Sequence, residues 1–371
     1  MASVTHPRLF SQKEPLIEAW YWIEYSSRLK RGKTKAVSFF GKDLVLYREQ
    51  GKAGHLFALD AYCPHMGAHL AEGKVEGEHL RCFFHHWKFE GSGACIEIPI
   101  QKDIPTQACV SSWPVQEKYG LIWLWPSTTP ATELPKIPEL EEEETDYLLG
   151  NFFLRNCHPH VVMINAIDEQ HFYSVHPLSR NLAGGVRFEV LEKSPYNIQF
   201  RNETSVPETT FFTRLLKRFY RDSLTYWMSY WHGCIGSVIV GPDFLHFYIL
   251  FALRPTLEGK TEGQTVLLTK KRRGFFAFLF NRMILCCTYG VVAYFAQGDT
   301  RIFRTIRFQF KTPLKGDHSV IRFIQHLEGQ KTVEWPQSNS ENSKKCLEEK
   351  VFSSLESSPD FRIPAGKTFE V

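Results

Sequence analysis

The sequence predicts an α+β protein of two domains, on three observations. Its 371 residues exceed what one hydrophobic core usually covers. The first third holds short apolar or β-branched runs punctuated by glycine turns, a pattern of antiparallel strands. The remainder mixes helical and strand-like runs without a regular βαβ repeat, which argues against a doubly wound sheet.

Taken in order, residues 1–19 read as an N-terminal extension and residues 20–125 as a small antiparallel β domain. Its strands are KAVSFF, DLVLYRE, LFALDAY, ACIEIPI and LIWLWP. Residues 126–146 hold prolines 126, 130, 135 and 138 and then the run Glu141 to Glu144. Proline denies this stretch helix and central strand, and the like charges repel one another, so a solvated linker is expected. In the second domain, residues 147–330, NAIDEQHFYSV and TFFTRLLKRFY read as helices. RFEVLE, NIQFRNE, SVIVGP, LHFYILFAL and VIRFIQHLE read as strands. Residues 331–371, rich in Ser, Glu and Lys, are expected to be a loosely ordered tail.

Composition narrows the function. With 43% hydrophobic and 23% charged residues the chain is globular rather than disordered. Aromatic residues at 14%, including 30 Phe, lean towards a large apolar interior or an apolar pocket. Forty-four basic side chains against 40 acidic give a net charge of +4, too balanced for a nucleic-acid partner. No GxGxxG or P-loop pattern occurs, so a nucleotide-binding half is not encoded. The N-terminal MASVTHPRLFSQKEPL lacks the apolar core of a secretory signal. Nine cysteines, an odd number, argue against a disulfide scaffold. A cytoplasmic setting follows, where clustered Cys and His more often bind metal.

The basic run 270–273 precedes an apolar stretch, 274–296, interrupted by Asn281 and Arg282. The charge-free part, 283–296, falls short of the roughly 20 residues that cross a bilayer. A buried helix is expected, with peripheral docking on a membrane as the alternative.

Two constellations carry chemistry. In the first, Cys63-Pro64-His65 and Cys82-Phe83-Phe84-His85 each offer one thiolate and one imidazole. Side chains two apart in extended chain point the same way, so Cys63 and His65 converge. The Cys82 half needs a tight turn, such as a loop closing a hairpin. Two Cys and two His suit a tetrahedral zinc, or a [2Fe–2S] centre with two His on one iron. Zinc gives no reason for the His86-Trp87 that follows. CPHMGAHL, CFFHHW and GACIEIP resemble the Rieske domain of the Rieske-type non-haem iron oxygenases. That family's pattern is Cys-x-His, fifteen to seventeen residues, then Cys-x2-His. The resemblance implies a [2Fe–2S] cluster on Cys63, His65, Cys82 and His85. One departure is His86, where the family usually has Gly; a backbone needing positive φ there would be strained.

In the second, Asp168 and His171 are three apart and share a helix face, but His176 lies about 140° further round an ideal helix. Pro177 suggests the resolution, because the residue before proline is pushed out of the α region. His176 can therefore sit at a broken helix end and turn back, or a π-type turn can bring it round. The segment from Asn165 to His176 is similar to the Asn/Asp-x-x-Asp-x-x-His-x4-His motif of the same family's catalytic domain. Two His and a carboxylate with open positions form the Fe(II) site of non-haem oxygenases. Asp299 follows the long apolar helix and precedes a strand, as the family's third ligand does, so the resemblance implies it as the carboxylate ligand, with Asp317 and Asp243 as fallbacks. The Cys157-His158-Pro159-His160 run has no matching second half and reads as a strand edge. Phe172, Tyr173, Phe211, Tyr226, Trp227, Trp231 and Phe247 suit either a pocket wall or the core.

The resemblance covers residues 20 to about 330 and implies a helix-grip-like catalytic domain after the Rieske domain. It implies an oxygenase component that uses O2 on an apolar substrate for hydroxylation, demethylation or desaturation. An NAD(P)H-dependent reductase or a ferredoxin would supply electrons. Asp168 would bridge a neighbouring subunit's cluster His to the iron ligand, which implies a homotrimer. The alternative is a Rieske electron carrier without oxygenase activity, whose second half binds no iron.

Overall fold

A computed structural model describes residues 16–141, 143–176, 187–204, 224–242 and 245–335. The described chain divides into two compact units, one built on residues 25–115 and a larger one on residues 16–24 and 116–335.

The smaller unit is all antiparallel strand with short 3-10 turns, as alternating apolar residues between glycine turns dictate. One four-stranded sheet runs in the order Ser112–Trp113, Leu56–Asp60, Lys42–Arg48, Thr34–Phe39. A second runs Lys74–Glu76, His79–Arg81, Lys88–Phe89, Cys95–Glu97. The core between them is made by Val45, Tyr47, Leu59, Leu70, Leu80 and Phe89. The loop after Leu56–Asp60 carries Cys63 and His65. The loop joining His79–Arg81 to Lys88–Phe89 carries Cys82 and His85, so this half of the motif does close a hairpin.

The larger unit is built on a seven-stranded antiparallel sheet. Its order is Thr145–Arg155, Thr261–Lys270, Phe247–Pro255, Ile235–Pro242, Leu224–Trp231, Asn197–Thr204, Glu189–Ser194. Four helices accompany it among the described residues: α1 (Pro159–Asn165), α2 (Glu169–Val175), α3 (Phe275–Thr305) and α4 (His318–Glu328). Antiparallel sheet with helices outside any βαβ repeat is the α+β class that the sequence predicts.

Several expectations change. The segment 320–328, read as a strand, belongs to α4. Its buried Val320, Phe323, Ile324 and Leu327 recur at the helical spacing, a period that a short apolar run disguises. Residues 165–175, read as one helix, are two, broken at residues 166–168. The run from Cys157 to His160 does not continue a strand edge. His158 caps α1, its Nδ1 accepting from the His160 N–H at 3.3 Å, and Pro159 stands in the first turn, where no N–H is needed.

The stretch expected to be a solvated linker is largely packed. Leu134, Ile137 and Leu140 are buried, and Glu139 accepts from His246 Nδ1 at 2.8 Å and the Tyr248 hydroxyl at 3.0 Å. Leu121–Leu124, taken as the last strand of the first domain, falls in the larger unit. The expected helix 210–220, Asp243 and the tail beyond Trp335 lie outside the described residues.

α3 is the largest departure. It is 31 residues long and continuous through Asn281 and Arg282. Only the face carrying Asn281, Ile284, Leu285, Thr288 and Phe303 is buried, so the expected buried helix is buried on one side alone. By length and composition it is apolar enough to cross a membrane.

Candidate metal centre

α2 is positioned by its cap. Asp168 takes extended dihedrals, and its Oδ1 accepts from the backbone N–H of Gln170 at 2.9 Å and of His171 at 3.1 Å. A carboxylate here meets both the orphan donors and the positive end of the helix. His171 follows in the first turn. At the other end His176 leaves the helix with φ −104° and ψ 101°, its N–H still reaching the Phe172 carbonyl at 3.3 Å. The extended backbone swings the His176 ring round to His171, as Pro177 suggested, and the two Nε2 atoms stand 3.0 Å apart.

The third member arrives on α3. Asp299 Oδ1 lies 3.0 Å from His171 Nε2 and 3.3 Å from His176 Nε2. Nearly 130 residues separate the partners in sequence, so only the docking of α3 brings them together. That docking depends on Gly298: a Cβ there would lie 2.6 Å from Val175 Cγ1 and 3.6 Å from His176 Cε1. Gly298 is the residue that the sequence reasoning missed. A glycine inside an apolar helix was the available signal. Asp317, a fallback ligand, instead accepts from Gln170 Nε2 at 2.7 Å and from the Leu314 N–H.

The donor set fits a metal ion. Two imidazole nitrogens and one carboxylate oxygen lie within 4.8 Å of one another, and both rings are buried. Asp299 Oδ1 is buried and, despite its closeness to the rings, has no well-aligned hydrogen-bond donor. Burial pushes the Asp299 carboxyl up, but the two imidazoles outweigh it and hold the group down at about 2. Three lone-pair atoms aimed at one point are satisfied by a cation between them. Asn165, at the end of α1, puts its amide nitrogen 3.2 Å from His171 Nε2.

The triad forms part of the wall of a cavity of about 430 Å³. α3 supplies Val292, Phe295 and Phe303 to it, and the sheet supplies Val238, Ile249 and Leu267. Of the aromatics singled out in the sequence, Phe172 and Tyr226 line this cavity. Burial, with Asp299 nearby, pushes the Tyr226 phenol up, so it keeps its proton.

In the smaller unit Cys63 and Cys82 are buried, and the His65 and His85 rings meet edge to face with centroids 4.5 Å apart. His65 also stacks on Trp87, 4.7 Å away and 7° from parallel. Each loop is closed by the backbone: Gly67 N–H reaches the Cys63 carbonyl at 2.9 Å, and Cys82 N–H reaches the Trp87 carbonyl at 2.9 Å. Burial, then the His65 N–H against it and the neighbouring Cys82, leave the Cys63 thiol pushed up to about 12. A thiolate here needs a cationic partner, which is what two buried sulfurs under two more exposed imidazoles would find in an iron–sulfur cluster. His86 does adopt the left-handed conformation, φ 60°, matching Gly67 at φ 73° four residues after the other Cys. Its carbonyl accepts from Arg81 Nη1 at 2.7 Å.

Comparison with known proteins agrees with this geometry. The Rieske [2Fe-2S] domain family matches residues 19–114. Cholesterol 7-desaturase nvd of Drosophila melanogaster is 40% identical over 168 residues, 44% of this chain and 38% of the relative. A 3-ketosteroid-9-alpha-monooxygenase oxygenase component of Rhodococcus rhodochrous is 34% identical over 164 residues, 42% of each chain. These alignments thus span about two-fifths of the curated relatives' own length. Among solved structures, dicamba monooxygenase bound to dicamba superposes with TM-score 0.53 at 18% identity, covering 90% of this chain and 98% of that one. NdmA of Pseudomonas putida CBB5 with caffeine superposes with TM-score 0.57 at 16% identity, covering 86% and 97%. At such identity the likeness is one of fold. The chain therefore carries a Rieske [2Fe–2S] domain over residues 19–114, and along most of its length it shares the fold of Rieske-type oxygenase structures.

Proposed function

We propose that this chain is the oxygenase component of a Rieske system acting on an apolar, fused-ring substrate. The observation that carries the reading is the convergence of His171, His176 and Asp299 on the wall of an apolar cavity, in a chain that also holds a Rieske domain. In this reading Cys63, His65, Cys82 and His85 hold the [2Fe–2S] cluster, and His171, His176 and Asp299 hold one Fe(II). Such an iron, when bound, would supply dioxygen activation, with the cluster as its electron source.

The chain's own residues do the rest. The apolar wall binds the substrate and excludes water from the reacting face. Asp168 fixes the first turn of α2 and so the His171 ring, and Asn165 restrains the Nε2 side of that ring. The protonated Tyr226 phenol is a hydrogen-bond donor lining the cavity. Two sequence relatives are named for cholesterol and 3-ketosteroid substrates, which supports a steroid-like ring system. A reductase or ferredoxin would deliver the electrons from NAD(P)H in the cytoplasm. A homotrimer in which Asp168 meets a neighbour's cluster ligand would complete the path.

Iron analysis of purified protein tests the reading: about three irons per chain for the oxygenase, about two for a bare electron carrier. His171→Ala is expected to lose one iron and all turnover while keeping the cluster's visible spectrum. Loss of the cluster instead contradicts the assignment.

A further inference from the structure

The outer face of α3 has no counterpart in the oxygenase chemistry. Phe276 is 84% exposed, Phe275 72%, Met283 53% and Leu279 49%, with Cys286, Cys287 and Tyr294 continuing the face. Between Arg282 and Asp299 the helix carries no charged residue. A monomeric soluble protein rarely leaves so long an apolar strip to water. The opposite face is committed to protein. Asn281 donates to Asp146, buried Thr288 donates to the Ile284 carbonyl within the helix, and Asp299 points at the metal ligands. A helix so anchored along one side cannot be surrounded by lipid, although its length and composition would allow it to span.

Charge selects what covers the exposed side. Residues 270–311 hold nine basic side chains and one acid, Asp299. Glu143 and Glu144 partner Lys270, Lys271 and Arg273. Arg272, Arg282, Arg301, Arg304, Arg307 and Lys311 are the remaining cations, exposed at both ends of the uncharged stretch. Arg282 lies against the Phe278 ring, 5.2 Å from its centroid, its apolar stem on the aromatic patch. Cations at both ends suit a helix lying in the plane of a membrane, where both ends meet headgroups of one leaflet.

We propose that α3 is an interfacial helix that seats the protein on an anionic lipid surface. Its inner face is at the same time a wall of the cavity. Asn151, Phe152 and Tyr289 line the cavity and are also exposed, with the Asn151 amide donating to the Tyr289 hydroxyl at 3.1 Å. The cavity thus reaches the surface between strand Thr145–Arg155 and α3, beside the apolar strip. A lipid-dissolved apolar substrate would enter there without crossing water. This last step rests on the oxygenase reading; the docking does not.

Full-length, cluster-loaded protein is floated with vesicles of phosphatidylcholine alone or of phosphatidylcholine with phosphatidylserine. About tenfold more protein is expected to float with the anionic vesicles at moderate salt. Phe276→Glu with Met283→Glu is expected to cut that flotation about tenfold, with the cluster spectrum and thermal transition unchanged. Wild-type protein that stays at the bottom with both vesicle types overturns the proposal. So does an oligomer that the same double variant converts to monomer, which would give the face to a second copy of the chain. Flotation reads no turnover: His171→Ala should float like wild type. Turnover in detergent without flotation would leave the oxygenase standing and remove the docking.

Discussion

Replacing Gly298 by alanine sets two effects against each other. The substitution improves helix propensity, by about 1 kcal/mol in a helix interior. Against it stands the approach of α3 to the end of α2. The new methyl would sit 2.6 Å from Val175 Cγ1, where carbons prefer about 3.5 to 4.0 Å, so something must move by about 1 Å. Val175 precedes His176 in the chain, and the shift passes directly to that ring. Overpacking of this kind costs about 1–3 kcal/mol. Metal–ligand distances tolerate only about 0.2 Å, so the larger loss is expected in iron affinity, about 10- to 100-fold. The assay is titration of Fe(II) into protein stripped of its mononuclear iron but retaining the cluster, with thermal unfolding alongside. An alanine variant that binds iron like wild type and melts higher would refute the argument, because helix propensity would then have outweighed the contact.

Three further outcomes follow from named groups. Asp168→Ala loses the cap of α2 and is expected to cost about 1 kcal/mol in thermal or denaturant unfolding. Asp168→Asn should restore the stability and both metals while lowering turnover, which separates capping from the proposed relay. At His86, φ 60° favours Gly over a β-branched residue, so His86→Val should be less stable than His86→Gly by about 1–3 kcal/mol, measured by denaturant midpoint. Buried His232 is held at about 4, by burial first and then by His326, against 6.5 when unfolded. Between those values the unfolded chain takes up the proton and the folded one does not, so stability falls as pH drops from about 6.5 to about 4. The loss is about 3 kcal/mol at about 1.4 per unit. Denaturant midpoints across that range check it, and His232→Asn, which tolerates the left-handed backbone at φ 51°, should flatten the slope.

Local chemistry was legible where its partners lie close in sequence. The Cys63/His65 and Cys82/His85 pairs sit on tight loops, and the loops follow from a few residues each. The broken end of α2 was readable from Pro177, because steric exclusion before proline acts over one residue. The strain at His86 was readable too, from a single side chain standing in a glycine position. Segment 320–328 was misread because a short run of apolar residues fits both periods until burial shows which face is used. Residues 126–146 were misread because prolines report on backbone geometry and say nothing of what Leu134, Ile137 and Leu140 will find to pack against.

By itself, then, the sequence determined the α+β class and marked two candidate ligand motifs, with the pair of imidazoles in the second, through the spacing of residues along the chain. Only the tertiary structure brought Asp299 to His171 and His176, required Gly298 between them, and left one side of a 31-residue helix bare. Those features depend on which surfaces meet across more than a hundred residues. Residue spacing cannot encode that meeting, because it is decided by the summed packing of α3 against the sheet rather than by any local preference of the chain.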